Sequence, residues 1–414
     1  MPPSRDTSFA AAPWRVALDT GGTFTDLVAV DPEGRTLRAK IPSDGSLVAA
    51  ASGMRAPRVV GVVAAGGLDW PDGLLVGWTM RSGMHDARIV GHEAGAVVLD
   101  RDLELPRDAS LRFTSDHAPI DAPRLGLHLL TRTPLGRALP PIEIRLSTTR
   151  GTNALLEGRG ARVGVLVSDG LTGVVEIGDQ TRDRLFARVP APRRVLAHAV
   201  RALPERTLAD GTARLRANAA DIERACTDLR AAGCDRFVVS LAHALVDGGR
   251  EAEVAASLSA CGVPAVAASQ IAPHPRLLTR TETAVVSARV APALEAFVAD
   301  ATRSAHAGSR ECVFTSAGVL QSAQRFAARD TLFSGPAGGA RAVCAVAERH
   351  AIAAAIGFDM GGTSSDVTRA VRGRVAMRSE TRLARTTVAA PALAIDSVAA
   401  GGGSICRVRD GAFE

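Results

Sequence analysis

The chain has 414 residues, 46% of them hydrophobic and 22% charged, which suffices for two or three domains with cores of their own and argues against wholesale disorder. Its net charge of +6 rests on one lysine, Lys40, and on arginines scattered among acids, with aromatics at only 3%. This excludes the basic stripe with stacking aromatics of a nucleic-acid binder, and a Walker A loop, whose lysine Lys40 cannot supply from Ala39-Lys40-Ile41-Pro42.

The first element in chain order is Leu18-Asp19-Thr20-Gly21-Gly22-Thr23-Phe24-Thr25-Asp26, between the apolar runs Val16–Leu18 and Leu27–Val30. This predicts a β-hairpin with Gly-Gly at the turn. Residues 45–140 hold short β-like runs (Arg58–Val63, Leu74–Met80, Ala96–Leu99) broken by Gly, Pro and Asp, then a helix at about 122–132. Glu143–Leu146 alternates as a strand and leads into a hydroxyl-rich turn, Thr148–Asn153, before a helix from Ala154.

Arg162–Val167 reads as a buried strand. Ile222, Cys226 and Leu229 then mark an amphipathic helix ending near Gly233. Phe237–Leu241 is a strand, Val254–Leu258 a helix and Val263–Ala268 a strand, an alternation of a layered α/β domain. His243 at a strand end is a candidate catalytic group. Residues 281–304 read as a helix kinked or restarted at Pro292, and Ser334–Ala340 as a loop entering a helix over 340–349. The six cysteines form no CxxC pair and no His/Cys cluster, as expected of small buried hydrophobes rather than a zinc or iron–sulfur site.

Residues 358–366, Phe-Asp-Met-Gly-Gly-Thr-Ser-Ser-Asp, repeat the first hairpin. The shared pattern D-x-G-G-T-x-[ST]-D aligns Asp19 with Asp359, Gly21 with Gly361, Gly22 with Gly362, Thr23 with Thr363 and Asp26 with Asp366. Glycines let backbone approach an anion closely, and consecutive N–H groups in such a turn make an anion-binding concavity. The threonine hydroxyl adds a donor, and a carboxylate at a strand end can hold hydrated Mg²⁺. Two copies suggest two similar lobes closing on one nucleotide.

Paired hairpins of this kind resemble the phosphate-binding signature of the actin-like ATPase and sugar kinase superfamily. Within it the chain is similar to the ATP-binding A component of the hydantoinase/5-oxoprolinase family. The stretches that carry the resemblance are 18–26, 148–166, 176–186, 280–294, 332–339, 358–366 and 399–405. The resemblance implies an α/β fold of actin-like (ribonuclease H-like) lobes: a first lobe from 14–44 plus 141–350, a β-rich insertion at 45–140, and the start of a second lobe at 351–414. These last residues fall short of the roughly 100 that a domain needs, so the second lobe is expected to be incomplete and the fragment inactive alone.

It also implies ATP-dependent ring opening of a cyclic amide such as 5-oxoproline or a hydantoin, by phosphorylation of the amide oxygen. The alternatives are a ketone carboxylase subunit of the same family and a regulatory or reactivating ATPase. Gly21, Gly22, Thr23, Thr25, Gly361, Gly362, Thr363 and the turn Gly401-Gly402-Gly403 are assigned to ATP, and Asp19 and Asp359 to catalysis and, through water, to Mg²⁺. Asp26 and Asp366 support the same site, and Thr149, Thr152 and Asn153 are candidates for the cyclic amide. A B-type component, as a separate chain or a C-terminal region, is the expected partner, with no nucleic acid and no membrane. No apolar run reaches a membrane span and the first residues lack a signal-peptide core, so a cytoplasmic location is expected.

Overall fold

Alternation along residues 14–30 puts Val16, Leu18, Leu27 and Ala29 on one face, where all four are buried. The strands β1 (Trp14–Thr20) and β2 (Phe24–Val30) pair antiparallel, and β3 (Thr36–Pro42) continues the meander. The computed structural model describes residues 13–65, 69–115, 120–181, 186, 188–189, 193, 195–246, 249–303, 305–362, 364–383, 386–409 and 412–413. The chain divides into two compact units. One comprises Met1–Arg150, Ala296–Phe314 and Leu320–Arg325, the other Gly151–Glu295, Thr315–Val319 and Phe326–Glu414. These boundaries differ from the 44/45, 140/141 and 350/351 divisions read from the sequence.

In the first unit six strands form a closed antiparallel barrel: β4 (Leu47–Ala56), β5 (Val59–Ala64), β6 (Thr79–Ser82), β7 (His85–Glu93), β8 (Ala96–Leu99) and β9 (Ser110–Thr114), in the order β4-β5-β8-β7-β6-β9. Leu47, Val60, Met80, Ile89, Val97, Leu111 and Phe113 are buried in it. Of the apolar run Leu74–Met80 only its end enters a strand, because residues 72–77 turn. Helix α1 (Ala122–Leu130) starts at Asp121, whose carboxylate accepts the Arg124 N–H at 2.9 Å. It packs on β1–β3 so closely that a Cβ on Gly126 would lie 2.3 Å from Leu27 Cδ2. Parallel to β1 run β10 (Ile142–Thr148) and, beyond it, Arg310–Phe314, so the sheet is mixed.

The second unit contains a parallel sheet in the order Ala199–Leu203, Val163–Ser168, Arg236–Ser240, Ala265–Ala267. Helices Ala219–Ala231 and Arg250–Ala260 bury Ile222, Leu229, Val254 and Leu258 with Phe237 and Val239. Val163, Val165 and Val238 pack with Ala284, Val285 and Ala288 of the helix Leu277–Thr302. That helix runs through Pro292 without restarting.

The same unit carries the second hairpin, Ala354–Met360 with Ser365–Val371. Ile395–Val398 is added beside Ser365–Val371, and the helix Ser334–Arg349 packs against the sheet. The helix begins at Ser334, so the expected loop 334–340 is its first turns. Helix Arg150–Leu156 likewise starts earlier than Ala154 and takes in Thr152 and Asn153. Among the described residues no helix is long and apolar enough to cross a membrane.

Candidate functional site

Both hairpins are built to the same register. Asp19 stands opposite Asp26 in the first and Asp359 opposite Asp366 in the second. In the first turn the Gly21 N–H donates to the Phe24 carbonyl at 3.0 Å, and in the second the Gly361 N–H donates to the Ser364 carbonyl at 2.9 Å. Residues directly opposite in an antiparallel pair share a face, so in each copy the two aspartates lie side by side, next to a turn without bulky side chains. Thr363 lies outside the described residues.

In the first hairpin Gly22 and Thr23 are exposed at the tip. Asp26 is held by Lys40, whose Nζ donates to its two oxygens at 2.9 and 3.0 Å while lying 5.2 Å from the Phe24 ring centroid. In register, Asp19 stands between Asp26 and Ser147. Thr25, expected at the phosphates, instead points into the buried face. It is fully buried, and its hydroxyl is bonded to those of Thr20 (3.3 Å) and Ser43 (3.2 Å).

Ser43, which the sequence reading missed, braces the turn by donating from its hydroxyl to the Gly21 carbonyl (2.9 Å) and from its N–H to the Thr23 carbonyl (2.9 Å). Only its position just after the strand facing β2 could have signalled it. The end of β10 is tied to the same place, since the Thr149 N–H and the Thr148 hydroxyl both reach the Thr20 carbonyl, at 3.2 and 3.1 Å.

In the second unit the glycine turn is stacked directly on the second hairpin. The N–H groups of Gly402 and Gly403 donate to the carbonyls of Gly361 (2.9 Å) and Gly362 (2.8 Å). A Cβ on Gly401 would lie 2.5 Å from the Gly361 oxygen, so only glycine fits there. Ser365 donates to the Ala400 carbonyl at 2.7 Å, Ser404 accepts from the Gly401 N–H at 2.9 Å, and Ser397 donates to Asp366. Gly339, in the thin first turns of helix Ser334–Arg349, comes beside Asp359: a Cβ there would stand 3.9 Å from Oδ2. Asp359, Gly361, Gly362 and Gly401–Gly403 therefore form one cluster within this unit.

Thr152 donates to the Leu332 carbonyl, a contact between a helix and a loop, and Asn153 is inside the same short helix. His243 is exposed in a turn at φ 53°. In the stretch 176–186 the Asp179 carboxyl is held below its ordinary value by hydrogen bonds from Thr181, and it pairs with Arg382 at 2.7 Å. Residues 182–185 of that stretch lie outside the described residues. Burial raises the Glu282 carboxyl despite its pairing with Arg193 and the N–H of Thr387.

Residues 107–262 match the hydantoinase/oxoprolinase N-terminal region and residues 280–414 match hydantoinase/oxoprolinase itself. A 5-oxoprolinase of Pestalotiopsis fici, PfmaA, is 30% identical over 334 residues, covering 70% of this chain and 26% of that protein. The crystal structure of an ATP-dependent caprolactamase from Pseudomonas jessenii superposes with a TM-score of 0.64 at 24% identity, covering 96% of this chain and 49% of that one. A nucleotide-free acetone carboxylase structure gives 0.65 at 21% identity, covering 97% and 50%. The chain thus spans about a quarter of the 5-oxoprolinase and half of each solved chain. With both family regions matched in order and the mixed α/β fold shared, the chain belongs to the hydantoinase/oxoprolinase family.

Proposed function

We propose that this chain is the nucleotide-binding portion of an ATP-dependent cyclic amidohydrolase. The observation that carries the reading is the duplicated turn, in which the same glycine N–H closes the same loop beside the same pair of aspartates. Gly21, Gly22, Thr23, Gly361, Gly362 and Thr363 are its phosphate-binding residues, and Gly401–Gly403 bring backbone close to the nucleotide. Asp26 and Asp366, held by Lys40 and Ser397, fix their hairpins.

Mg²⁺ takes carboxylate and water oxygens, and Asp19 and Asp359 offer exposed carboxylates beside side-chain-free turns. Held there, the ion would offset phosphate charge. Support for the two-lobe, actin-like reading comes from the mixed sheet on the first hairpin and the hairpin sheet backed by a helix on the second. The barrel is then an insertion into the first lobe.

The chemistry explains why ATP is needed. A lactam carbonyl is a poor electrophile. Attack of its oxygen on the γ-phosphorus forms an O–P bond and releases ADP. Water then adds at the activated carbon and the C–N bond breaks, opening the ring to an acyl phosphate, and a second water hydrolyses that acyl phosphate to the carboxylate and phosphate. Relatives named for 5-oxoproline and caprolactam support this substrate class. Thr149 is the substrate candidate tied to the end of β1, with Thr152 and Asn153 held for fold contacts or substrate. Ring opening is assigned to a complex with a B-type component.

ADP release by that complex, with 5-oxoproline, a hydantoin, caprolactam, or acetone plus bicarbonate as acceptor, tests the proposal. A cyclic amide is expected to stimulate release, and Asp359→Ala or Thr23→Ala to cut it at least a hundredfold without altering circular dichroism. Stimulation only by ketone and bicarbonate would favour the carboxylase. Turnover indifferent to every acceptor would favour a regulatory ATPase, and unchanged turnover in both variants would remove the role of the hairpins.

A further inference from the structure

The first hairpin carries a cation that its copy lacks. In register, Ser147, Asp19, Asp26 and Lys40 stand in one row across four neighbouring strands, on the face where Asp19, Asp26 and Lys40 are exposed. The corresponding row of the second hairpin is Asp359, Asp366 and Ser397. Lys40 donates its ammonium to Asp26, and Ser397 donates its hydroxyl to Asp366. A neutral hydroxyl therefore suffices to hold the second aspartate of the motif, and the charge at Lys40 answers to something else.

Stability does not explain that charge. Lys40 and Asp26 are 56% and 57% exposed, and an ion pair so open to water contributes little. Other exposed pairs of the chain use arginine, as in Arg58–Asp102 and Arg382–Asp179, and of its 49 lysine and arginine residues Lys40 is the one lysine. An ammonium is a compact charge with three N–H donors, so it can serve two acceptors at once. Asp26 occupies at most two of them, at 2.9 and 3.0 Å, and at least one is left. The ammonium is also placed at the turn. Its Nζ lies 5.2 Å from the ring centroid of Phe24, the residue that follows Thr23 and whose carbonyl accepts the Gly21 N–H. An anion on the turn's N–H groups is repelled by the carboxylates of Asp19 and Asp26, and the ammonium offsets that repulsion. Phosphoryl-transfer sites use carboxylate-held lysines in this way.

We propose that Lys40 is a phosphate-binding residue, anchored by Asp26 and donating its remaining N–H to an oxygen of the triphosphate seated on the first turn. This rests on the nucleotide reading above. Because Lys40 is the one lysine, labelling the 414-residue chain with trinitrobenzenesulfonate and mapping the peptides by mass reads this side chain against the terminal amine as internal standard. ATP with magnesium chloride should slow Lys40 labelling about fivefold or more, and adenosine should leave it unchanged. Lys40→Gln keeps an N–H for Asp26 and removes the charge. By calorimetry it should bind ATP about tenfold or more weaker, the effect of one charge-assisted hydrogen bond, with its thermal unfolding nearly unchanged. Labelling that saturating ATP does not slow, equal slowing by adenosine, or parental ATP affinity in Lys40→Gln would overturn the role of Lys40 and leave the hairpins as a nucleotide site. Absence of ATP binding to the parent chain would instead remove the nucleotide reading, and this proposal with it.

Discussion

Glu282 shows how a single buried charge sets a pH dependence. It pairs with Arg193 and accepts the Thr387 N–H at 3.1 Å, yet burial, the largest influence, raises its carboxyl above the ordinary 4.5. A raised carboxyl binds its proton more tightly in the folded than in the unfolded chain. Its contribution to stability is therefore complete below the unfolded value and is lost as pH rises through the folded one. The thermal midpoint of the parent relative to Glu282→Gln should fall as pH rises above about 4.5; a relative midpoint that is flat or rises with pH would contradict this. The sequence showed neither Glu282 nor Ser43, since each acts through a partner far along the chain. The glycines and aspartates of the two hairpins were legible because a turn is specified by neighbours in sequence. Thr25 was misread because period-2 alternation turns it to the buried face, opposite Asp19 and Asp26.

At the scale of elements, two helix glycines predict opposite outcomes for one substitution. Gly338 lies in helix Ser334–Arg349, and a Cβ there would meet nothing within 4 Å. Gly338→Ala should stabilise by about 0.5–1 kcal/mol through helix propensity alone. Gly126 in α1 has the same propensity to gain, but its Cβ would press on Leu27, which is 1% exposed. Overpacking costs about 1–3 kcal/mol, so Gly126→Ala should lose stability on balance. Denaturant unfolding of both variants checks the two signs.

A third glycine tests the site. Gly401→Ala would force the turn away from Gly361 and Gly362, and it should weaken ATP binding about tenfold or more while leaving unfolding nearly unchanged. Strands such as Arg236–Ser240 and the helix ending near Gly233 were readable from period and composition. The starts of helices Ser334–Arg349 and Arg150–Leu156 were not, because Gly, Pro, Thr and Asn argue locally for turns while tertiary packing decides otherwise.

Over the whole molecule, the sheet that carries the second hairpin has two unlike faces. Gly357 and Asp359 point to the side covered by helix Ser334–Arg349, where a Cβ on Gly357 would lie 2.5 Å from Val343 Cγ2. Ile356, Phe358 and Met360 alternate to the other side and are 75%, 63% and 54% exposed. Their strand, Ala354–Met360, pairs only with Ser365–Val371 among the described residues, so it offers both an apolar stripe and an open strand edge. Such a combination promotes self-association and adds little to the stability of the chain that bears it, since the apolar area remains in water. Threonine keeps the β-propensity of the strand and removes most of the apolar surface. The triple variant Ile356→Thr/Phe358→Thr/Met360→Thr in the 414-residue chain should therefore bind less 1-anilinonaphthalene-8-sulfonate and stay monodisperse at higher concentration. Its unfolding free energy should shift by no more than about 0.5 kcal/mol per site. A loss of several kcal/mol would mean that the face is packed in solution, because truncating buried Ile, Phe and Met side chains costs about 2–5 kcal/mol each.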